Sequence, residues 1–312
     1  MKKINLAVIF YGDKSQIKIN ESQFKDLQNN LIDFNLKKYD LNKFEQNTLL
    51  RDFKAGIIDI VLKNSYGRGH EALIESFLEL NNIPYLGSNS ETTFLGTSKF
   101  LAKEIFRLHN LPIAEDVFVD KIIWQKNNKI ILNSIKQKIH YPCIVKDSSG
   151  TDSRGIFVSK SEAELTRILN KNLNHKNSFL VEKYISDPYE VTCMVVGNEK
   201  PLAYEPIGVN NNVKGLLTAD MKDNNSSIVL EIPTKLPKKI VKEIKTIAQK
   251  AHEALGCKTF SRSDILVKNG KLYLLEVDVH PGFRINSATT VSAKFTKQNL
   301  NNLFLKFYNL TK

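Results

Sequence analysis

The stretch Lys146-Asp-Ser-Ser-Gly-Thr-Asp-Ser-Arg-Gly155 lies between two short apolar runs, at residues 141–146 and 155–158. This pattern predicts a strand, a loop of small polar residues and a second strand. Such a loop can offer N–H groups and hydroxyls to phosphate oxygens, while a lysine neutralises their charge. The chain contains no Walker A motif, so a different kind of phosphate-binding loop is indicated. A plain polar hairpin loop is the alternative.

A second pattern lies near the C-terminus, where residues 260–282 read as two apolar strands joined by a short turn. Side chains two positions apart point to the same face of a strand. Arg262 therefore shares a face with Asp264 on the first strand, and Glu276 shares a face with Asp278 on the second.

The turn decides whether these two pairs meet. A two-residue turn, Asn269-Gly270, would place them on opposite faces, whereas a three-residue loop that begins at Lys268 places them together. We predict the three-residue loop. Oxygen-only ligands suit Mg²⁺ that is held jointly with a nucleotide's phosphates. A solvated edge hairpin is the alternative, but the flanking residues are too apolar for an exposed strand. The predicted metal ligands are Asp264, Glu276 and Asp278.

Composition bounds the class of protein. With 312 residues the chain is long enough for two or three domains, and 42% hydrophobic and 25% charged residues are typical of a soluble globular protein. No apolar run is long enough to span a membrane, and the N-terminal apolar stretch is too short for a signal peptide. We therefore expect no membrane partner. Cys143, Cys193 and Cys257 are isolated, so we expect buried free thiols and a cytoplasmic location.

The net charge of +12 raises the question of nucleic-acid binding. The lysines are spread along the chain among many asparagines, and no basic stripe is interleaved with aromatic residues. We therefore expect no nucleic-acid partner. A few of these cations would serve a small anionic ligand, and the others would be solvated.

Hydrophobic periodicity predicts the order of the secondary structure. Strands and helices alternate at first, which indicates a parallel α/β unit, and an α+β arrangement follows. The predicted strands are residues 4–10, 57–63, 83–86, 116–120, 141–146, 155–158, 178–184, 189–197 and 201–207, followed by the C-terminal hairpin. The predicted helices are residues 20–31, 70–81, 97–109, 128–138, 160–171, 236–254 and 297–309.

The helix at 97–109 carries two lysines, Lys99 and Lys103, one turn apart. Their like charges are unfavourable at this spacing unless an anion lies nearby. Ser98 or Thr97 is the predicted N-cap. We expect the buried face of the helix to consist of Leu101, Ile105 and Leu108.

Taken together, these motifs resemble those of the ATP-grasp superfamily, and within it the D-alanine–D-alanine ligases. Each motif alone is unspecific, but they follow one another in the family's order over most of the chain. The matching segments are residues 83–88, 98–103, 146–155 and 181–185, then Arg262-Ser-Asp264, Glu276-Val-Asp278, Pro281-Gly282 and Ser287. Asp278 stands where the family has asparagine.

The resemblance implies a fold of α/β and α+β class: an ATP-grasp fold preceded by a Rossmann-like parallel-sheet domain. The expected domains are residues 1–92, the Rossmann-like domain, 93–180, the central ATP-grasp subdomain, and 181–312, the C-terminal subdomain with the metal site.

It also implies an ATP site. Lys99 and Lys146 would hold the α- and β-phosphates, with Ser153 covering the γ-phosphate. Glu182 would accept from the adenine amino group, the backbone of Ile185 would supply a second contact, Glu190 would hold the ribose, and Leu275 with Leu266 would sandwich the ring. The spacing from Glu182 to Glu190 is one residue longer than in the family, which a small bulge could absorb.

The activity that the resemblance implies is ATP-dependent formation of an amide bond between a small-molecule carboxylate and an amine. Two Mg²⁺ ions are expected, with Mn²⁺ as the alternative metal. The catalytic residues would be Arg262, which stabilises an oxyanion, Ser153, and Lys214 in a long loop that closes over the phosphates. A surface loop without function is the alternative for that segment.

The donor pocket departs from the family's pattern. A glutamate that binds the first substrate's ammonium group is replaced by Gln16, and the stretch that holds the family's histidine and first acid reads Ser65 to Ala72. The expected substrate residues are Gln16, His70, Asp152 and, for the acceptor carboxylate, Ser287. A donor other than D-alanine is therefore predicted. A true D-alanine–D-alanine ligase and an inactive ATP-binding regulator are the alternatives, and the resemblance implies a homodimer through the N-terminal domain.

Overall fold

A parallel sheet forms the first part of the fold. The computed structural model describes residues 2–12, 14–64, 71–148, 155–211, 228–232 and 234–312. The sheet has the order β2-β1-β3-β4, all parallel, and helices connect successive strands. Its elements are β1 (Ile4–Phe10), α1 (Lys14–Asn30), β2 (Phe34–Asp40), α2 (Gln46–Lys54), β3 (Ile60–Lys63), α3 (Glu71–Leu80) and β4 (Tyr85–Leu86).

This arrangement confirms the predicted parallel α/β unit. The sequence pattern missed β2 because Lys37 and Lys38 interrupt its apolar alternation. An edge strand tolerates such residues, since one of its sides has no neighbouring strand.

Two short helices lead to a second sheet. The helices are α4 (Ser90–Thr97) and α5 (Lys99–Leu108). The sheet is antiparallel with the order β5-β8-β6-β7. Its elements are β5 (Asp116–Asp120), α6 (Lys121–Lys138), β6 (Cys143–Asp147), β7 (Ile156–Ser159), α7 (Glu162–Asn172) and β8 (Ser178–Lys183). The two strands predicted on either side of the polar loop are thus present as β6 and β7, and the loop itself, residues 149–154, lies outside the described residues.

The third sheet carries the C-terminal hairpin. Its order is β12-β11-β9-β13-β14, with β10 paired to β9, and its pairs are antiparallel. The strands are β9 (Tyr189–Val196), β10 (Leu202–Ala203), β11 (Ile207–Asn211), β12 (Ile228–Glu231), β13 (Phe260–Lys268) and β14 (Lys271–Asp278). The helices of this part are α8 (Lys238–Ala254), α9 (Ala288–Phe295) and α10 (Leu300–Leu310).

The mixed α/β and α+β class predicted from the sequence is confirmed. The division into domains stays a prediction, and one of its boundaries meets a strand. A boundary between residues 180 and 181 would cut β8, which pairs with both β5 and β6. A boundary after Lys183 leaves this sheet whole.

The helix predicted at 97–109 is present as α5, but its buried face differs from the prediction. Ser98 caps α5 as predicted, with its side chain accepting from the Leu101 N–H. The buried residues of α5 are Ala102, Lys103 and Phe106, whereas Leu108 is 78% exposed. The apolar pattern failed here because Lys103 turns inward to buried carboxylates.

The core fixes the third sheet on both sides. One face packs against α8 and α5 through an apolar cluster that includes Ile265, Leu274 and Val277. At the end of the hairpin, Phe283 packs edge-on against Phe260, with ring centroids 5.0 Å apart, and contacts α10. The segment after β14 is therefore anchored in the core. Within the described ranges, none of the helices combines the length and apolar character that crossing a bilayer requires.

Candidate active site

The hairpin of β13 and β14 brings the predicted residues to one face, by a different route from the one expected. Lys268 pairs with Lys271, so the turn is the two-residue turn Asn269-Gly270, and the three-residue prediction is wrong. Both turn residues have positive φ, 50° and 76°, as a type I′ turn requires.

A bulge restores the common face. The pairing register shifts between Asp264 and Ile265, and Leu275 is the extra residue on β14. Because of this bulge, Asp264 lies directly opposite Glu276, and Arg262 lies opposite Asp278. One inserted residue turns every side chain beyond it to the opposite face of the sheet. The four predicted side chains therefore share one face of the sheet.

Strand β9 adds residues to the same face. Thr192 pairs with Asp264, and its hydroxyl donates to Asp264 Oδ1 at 2.7 Å. Glu190 pairs with Leu266, which places the predicted ribose ligand beside a predicted adenine contact. Sequence reasoning missed Thr192. A polar residue two positions after Glu190 in an otherwise apolar strand was the signal for it.

Arg262 is held between two carboxylates. Its Nε donates to Asp264 Oδ1 at 3.1 Å, and its Nη2 lies 3.3 Å from Asp278 Oδ2. Burial by itself would lower the pKa of Arg262, but Asp264 and Asp278 outweigh it and raise the pKa. The guanidinium is therefore a fixed positive charge in the centre of the face.

Lys99 reaches this face from α5. Its Nζ lies 3.0 Å from Glu276 Oε2. Burial would lower the pKa of Lys99, but the carboxylates of Glu276, Glu182 and Asp147 outweigh it and raise the pKa. Lys99 therefore stays charged, as binding to phosphates requires.

The second sheet contributes a buried ion-pair cluster. Glu182 is 3% exposed, and its two oxygens lie 2.9 Å from Lys146 Nζ and 3.1 Å from Lys103 Nζ. Lys103 also pairs with Asp116, at 3.2 Å. These carboxylates are the nearby anions that we expected from the two like-charged lysines one turn apart on α5. Each carboxylate oxygen can accept a further hydrogen bond, so the adenine role of Glu182 stays a prediction.

The Glu182 cluster makes stability depend on pH. Burial would raise the pKa of Glu182, but Lys146 and Lys103 outweigh it and lower the pKa from 4.5 to about 2. A carboxyl whose pKa is lowered in the folded state stabilises the protein above its unfolded pKa, and this stabilisation is lost as the pH falls through the folded pKa. The lowering corresponds to about 3 kcal/mol.

We therefore expect the wild type to be more stable than Glu182→Gln by a constant amount above about pH 5. The difference should shrink steadily from pH 4.5 towards pH 3, and denaturant unfolding of both proteins across this range measures it. A difference that is the same at pH 7 and pH 3 would show that the Glu182 charge contributes nothing.

A second buried ion-pair cluster lies beside the segment that follows β14. Glu75 on α3 is fully buried, and its Oε1 lies 2.6 Å from Lys63 Nζ and 2.7 Å from His280 Nε2. Burial and the Lys63 ammonium lower the pKa of His280, despite Glu75. His280 is therefore neutral at pH 7, and the cluster contains one positive and one negative charge. No motif predicted it.

The cluster is connected to the candidate site. The backbone N–H of His280 donates to Asp278 Oδ1 at 3.0 Å. On the ring, His280 Nε2 lies 3.1 Å from Thr93 Oγ1. Through these contacts the end of the parallel sheet, helix α4 and the segment after β14 hold one another in place. Asp278 is oriented as a result.

The remaining predicted residues are placed as follows. Ser287 is the N-cap of α9 and donates to the Gly282 carbonyl at 3.0 Å. Ile185 is half-buried just after β8, and Leu275 is the half-buried bulge residue. Gln16 lies in the first turn of α1, but its side chain is outside the described part of the structure. Outside the described residues altogether are His70, Asp152, Ser153 and Lys214.

Comparisons with known proteins agree with this geometry. The family model described as "D-ala D-ala ligase C-terminus" matches residues 105–303. The D-alanine–D-alanine ligase of Acetivibrio thermocellus is 31% identical over 237 residues, which cover 74% of this chain and 61% of the relative. That of Thermoanaerobacter sp. strain X514 is 34% identical over 235 residues, covering 72% and 63%. The chain thus aligns with about three fifths of the length of these two relatives.

Solved structures show the same fold. The D-alanine–D-alanine ligase of Bacillus anthracis superposes with a TM-score of 0.82 at 22% identity, covering 99% of this chain and 97% of that one. The VanG D-Ala:D-Ser ligase of Enterococcus faecalis gives 0.82 at 19% identity, covering 100% of both. The fold is the ATP-grasp fold predicted from the sequence, and the chain belongs to the D-alanine–D-alanine ligase C-terminus family.

Proposed function

We propose that this protein is an ATP-dependent carboxylate–amine ligase that forms an amide bond through an acyl phosphate and releases ADP. The observation that carries the proposal is the face formed by β9, β13 and β14. It holds a fixed arginine, Arg262, among three carboxylates, and Lys99 reaches it from α5. A face with this mixture of charges fits a polyphosphate together with its metal ions.

The carboxylates fit Mg²⁺ of the kind that substrate phosphates help to hold. Among the described residues, no group of three His, Cys, Asp or Glu side chains lies close enough to bind one ion. Mg²⁺ is commonly bound by only one or two carboxylates, with phosphates and water supplying the other ligands. Asp264 and Glu276 are direct cross-strand partners, so they suit such a site, with Asp278 beside them. Bound there, Mg²⁺ would neutralise charge on the phosphates.

The proposed reaction has two steps. A donor carboxylate oxygen attacks the γ-phosphorus of ATP, and ADP leaves. The acceptor amine then attacks the acyl carbon, and inorganic phosphate leaves after a tetrahedral intermediate that carries an oxyanion. Arg262 is the group that would stabilise this oxyanion, a role typically worth about 3–4 kcal/mol of barrier. We propose Ser287 as the acceptor-carboxylate ligand, and Lys146 with Glu182 as part of the nucleotide site.

A cytoplasmic location fits a protein that uses ATP and whose three cysteines are buried and free. The homodimer stays a prediction. The predicted nucleotide roles of Ile185, Glu190 and Leu275 form part of the same proposal.

Release of ADP with pooled carboxylates and amines tests the proposed ligase. Turnover that needs both a carboxylate and an amine would support it. Tight ATP binding without turnover in any pool would favour the alternative, a nucleotide-binding regulator. The presence of Arg262 favours the ligase, because ATP binding alone needs no oxyanion donor.

The donor should differ from D-alanine. A neutral glutamine at position 16 cannot pair with an ammonium group as a carboxylate does. We expect little or no ADP release with D-alanine as the sole substrate, and at least equal turnover when carboxylic acids without an α-ammonium group are added as donors. Gln16→Glu is the matched variant, and it should shift preference towards D-alanine. Robust wild-type turnover with D-alanine alone would restore the plain D-alanine–D-alanine ligase assignment.

A further inference from the structure

A cluster of buried carboxamides lies under the carboxyl end of the parallel sheet. It consists of Asn20 and Gln23 on α1 and Asn64 directly after β3, and these side chains are 0%, 2% and 0% exposed. Gln23 Nε2 donates to Asn64 Oδ1 at 2.5 Å, and Asn64 Nδ2 donates to the Asn20 carbonyl oxygen at 3.0 Å. The cluster is therefore ordered by its own hydrogen bonds.

The described residues supply no partner for the side chain of one member of the cluster. Neither Nδ2 nor Oδ1 of Asn20 has a hydrogen-bond partner among the residues that the structure describes. A buried amide without partners is costly, and native proteins rarely keep one without a reason. A buried leucine of similar volume would avoid this cost. We therefore expect a ligand to supply the hydrogen-bond partners that the Asn20 carboxamide lacks.

The position of Asn20 indicates which ligand. Asn20 is one helical turn after Gln16, so the two positions share one face of α1. Gln23 Oε1 accepts from the N–H of Phe283 at 2.7 Å, and Phe283 follows Pro281-Gly282. Ligands of open parallel sheets bind beyond the carboxyl ends of the strands, where Asn64 lies. Asn20 thus lies where α1, the end of β3 and the segment after β14 meet, which is the side of the proposed donor.

We propose that Asn20 binds the α-substituent of the donor acid, and that this substituent is a neutral hydrogen-bonding group such as a hydroxyl. The inference rests on the proposed ligase function and names its donor class, a 2-hydroxy acid. A carboxamide offers one donor and one acceptor to a hydroxyl, which can both accept and donate. The carboxamide carries no charge that could pair with an ammonium group. A donor acid with only hydrogen as its α-substituent would leave the amide without a hydrogen-bond partner.

Three acids of nearly equal size separate these cases: propionate, D-lactate and D-alanine carry hydrogen, hydroxyl and ammonium at the α-carbon. With D-alanine present as the acceptor amine, ADP release at saturating ATP gives kcat/KM for each added donor. We expect the wild type to prefer D-lactate over propionate by at least ~10-fold. In Asn20→Leu this ratio should fall to about one, with the KM for ATP unchanged.

Thermal unfolding without substrates provides the second measurement. Asn20→Leu removes an unpaired amide, so its Tm should equal or exceed that of the wild type. Asn301 is the matched control, since it is 5% exposed and both ends of its amide are hydrogen-bonded. Its Nδ2 donates to Asp33 Oδ2 at 2.7 Å, and its Oδ1 accepts from the backbone N–H of Asp33 at 3.0 Å. Asn301→Leu should lower Tm by roughly 3–6 °C and leave the donor preference unchanged.

The possible results distinguish a failure of the Asn20 proposal from a failure of the proposed ligase function. A wild type that releases no ADP with any donor and acceptor would overturn both. A wild type that turns over while Asn20→Leu keeps its D-lactate preference would overturn the inference alone, as would a wild type without that preference. A fall in Tm for Asn20→Leu like that of Asn301→Leu would assign Asn20 a structural role, completed by a buried water, and would also overturn it.

Discussion

Glu276→Gln and Asp264→Asn should each abolish ATP turnover while leaving the fold intact. Both carboxylates lie opposite one another on the face of the third sheet that we propose binds Mg²⁺ and the phosphates of ATP. Neutralising either one removes a charge that a metal ion needs, and metal-ion catalysis supplies several kcal/mol of transition-state stabilisation. The expected loss in kcat is therefore at least ~100-fold.

Glu253→Gln is the matched control for this pair. Glu253 is an exposed residue of α8, the helix that packs on the opposite face of the same sheet. This variant should keep wild-type turnover. Thermal unfolding of all three variants checks that the fold is retained. Near-normal turnover in either Glu276→Gln or Asp264→Asn would show that the metal assignment is wrong.

The second large effect is expected at the buried cluster of Lys63, Glu75 and His280. Glu75→Gln removes the negative charge that lies 2.6 Å from Lys63 Nζ and leaves a buried ammonium without a counter-charge. Breaking a buried ion pair from one side costs about 3–5 kcal/mol. We expect Tm to fall by roughly 10 °C, since each kcal/mol shifts Tm by a few degrees in a chain of this size.

A double variant separates charge from packing. Lys63→Met combined with Glu75→Leu removes both charges while keeping similar volumes, and replacing a buried ion pair by apolar residues is often neutral or stabilising. The double variant should therefore recover most of the Tm that Glu75→Gln loses. If the double variant is no more stable than Glu75→Gln, lost packing and not an unpaired charge explains the effect.

The cluster should also affect the site. His280 and Asp278 are linked through the His280 N–H, so loss of Glu75 frees the segment that orients Asp278. The Glu75→Gln variant should accordingly show reduced turnover at temperatures at which it is still folded. This effect is smaller than that of Glu276→Gln, because Asp278 itself remains.

Local patterns in the sequence determined much of the site. Period-two alternation places Arg262 with Asp264, and Glu276 with Asp278, on common faces whatever the rest of the chain does. Strands β6 and β7, the cap at Ser98 and the parallel α/β unit follow from equally local signals. The order of the motifs was sufficient to predict the ATP-grasp fold, because each motif is fixed by neighbouring residues.

Only the tertiary structure decided which of these local faces meet. The two strands of the hairpin meet through a bulge at Leu275 and not through a longer turn, and no residue near Leu275 marks the bulge in the sequence. Register depends on hydrogen bonds to a partner strand, so it is set by non-local pairing.

Burial of charge was decided in the same non-local way. Lys103 looks like a surface residue of an amphipathic helix, and Glu75 looks like one of α3, yet both are buried against partners far away in the chain. A charged side chain is buried only where opposite charges surround it. For Lys103 those charges come from Asp116 and Glu182, and for Glu75 the charge comes from Lys63. The fold alone brings them into contact.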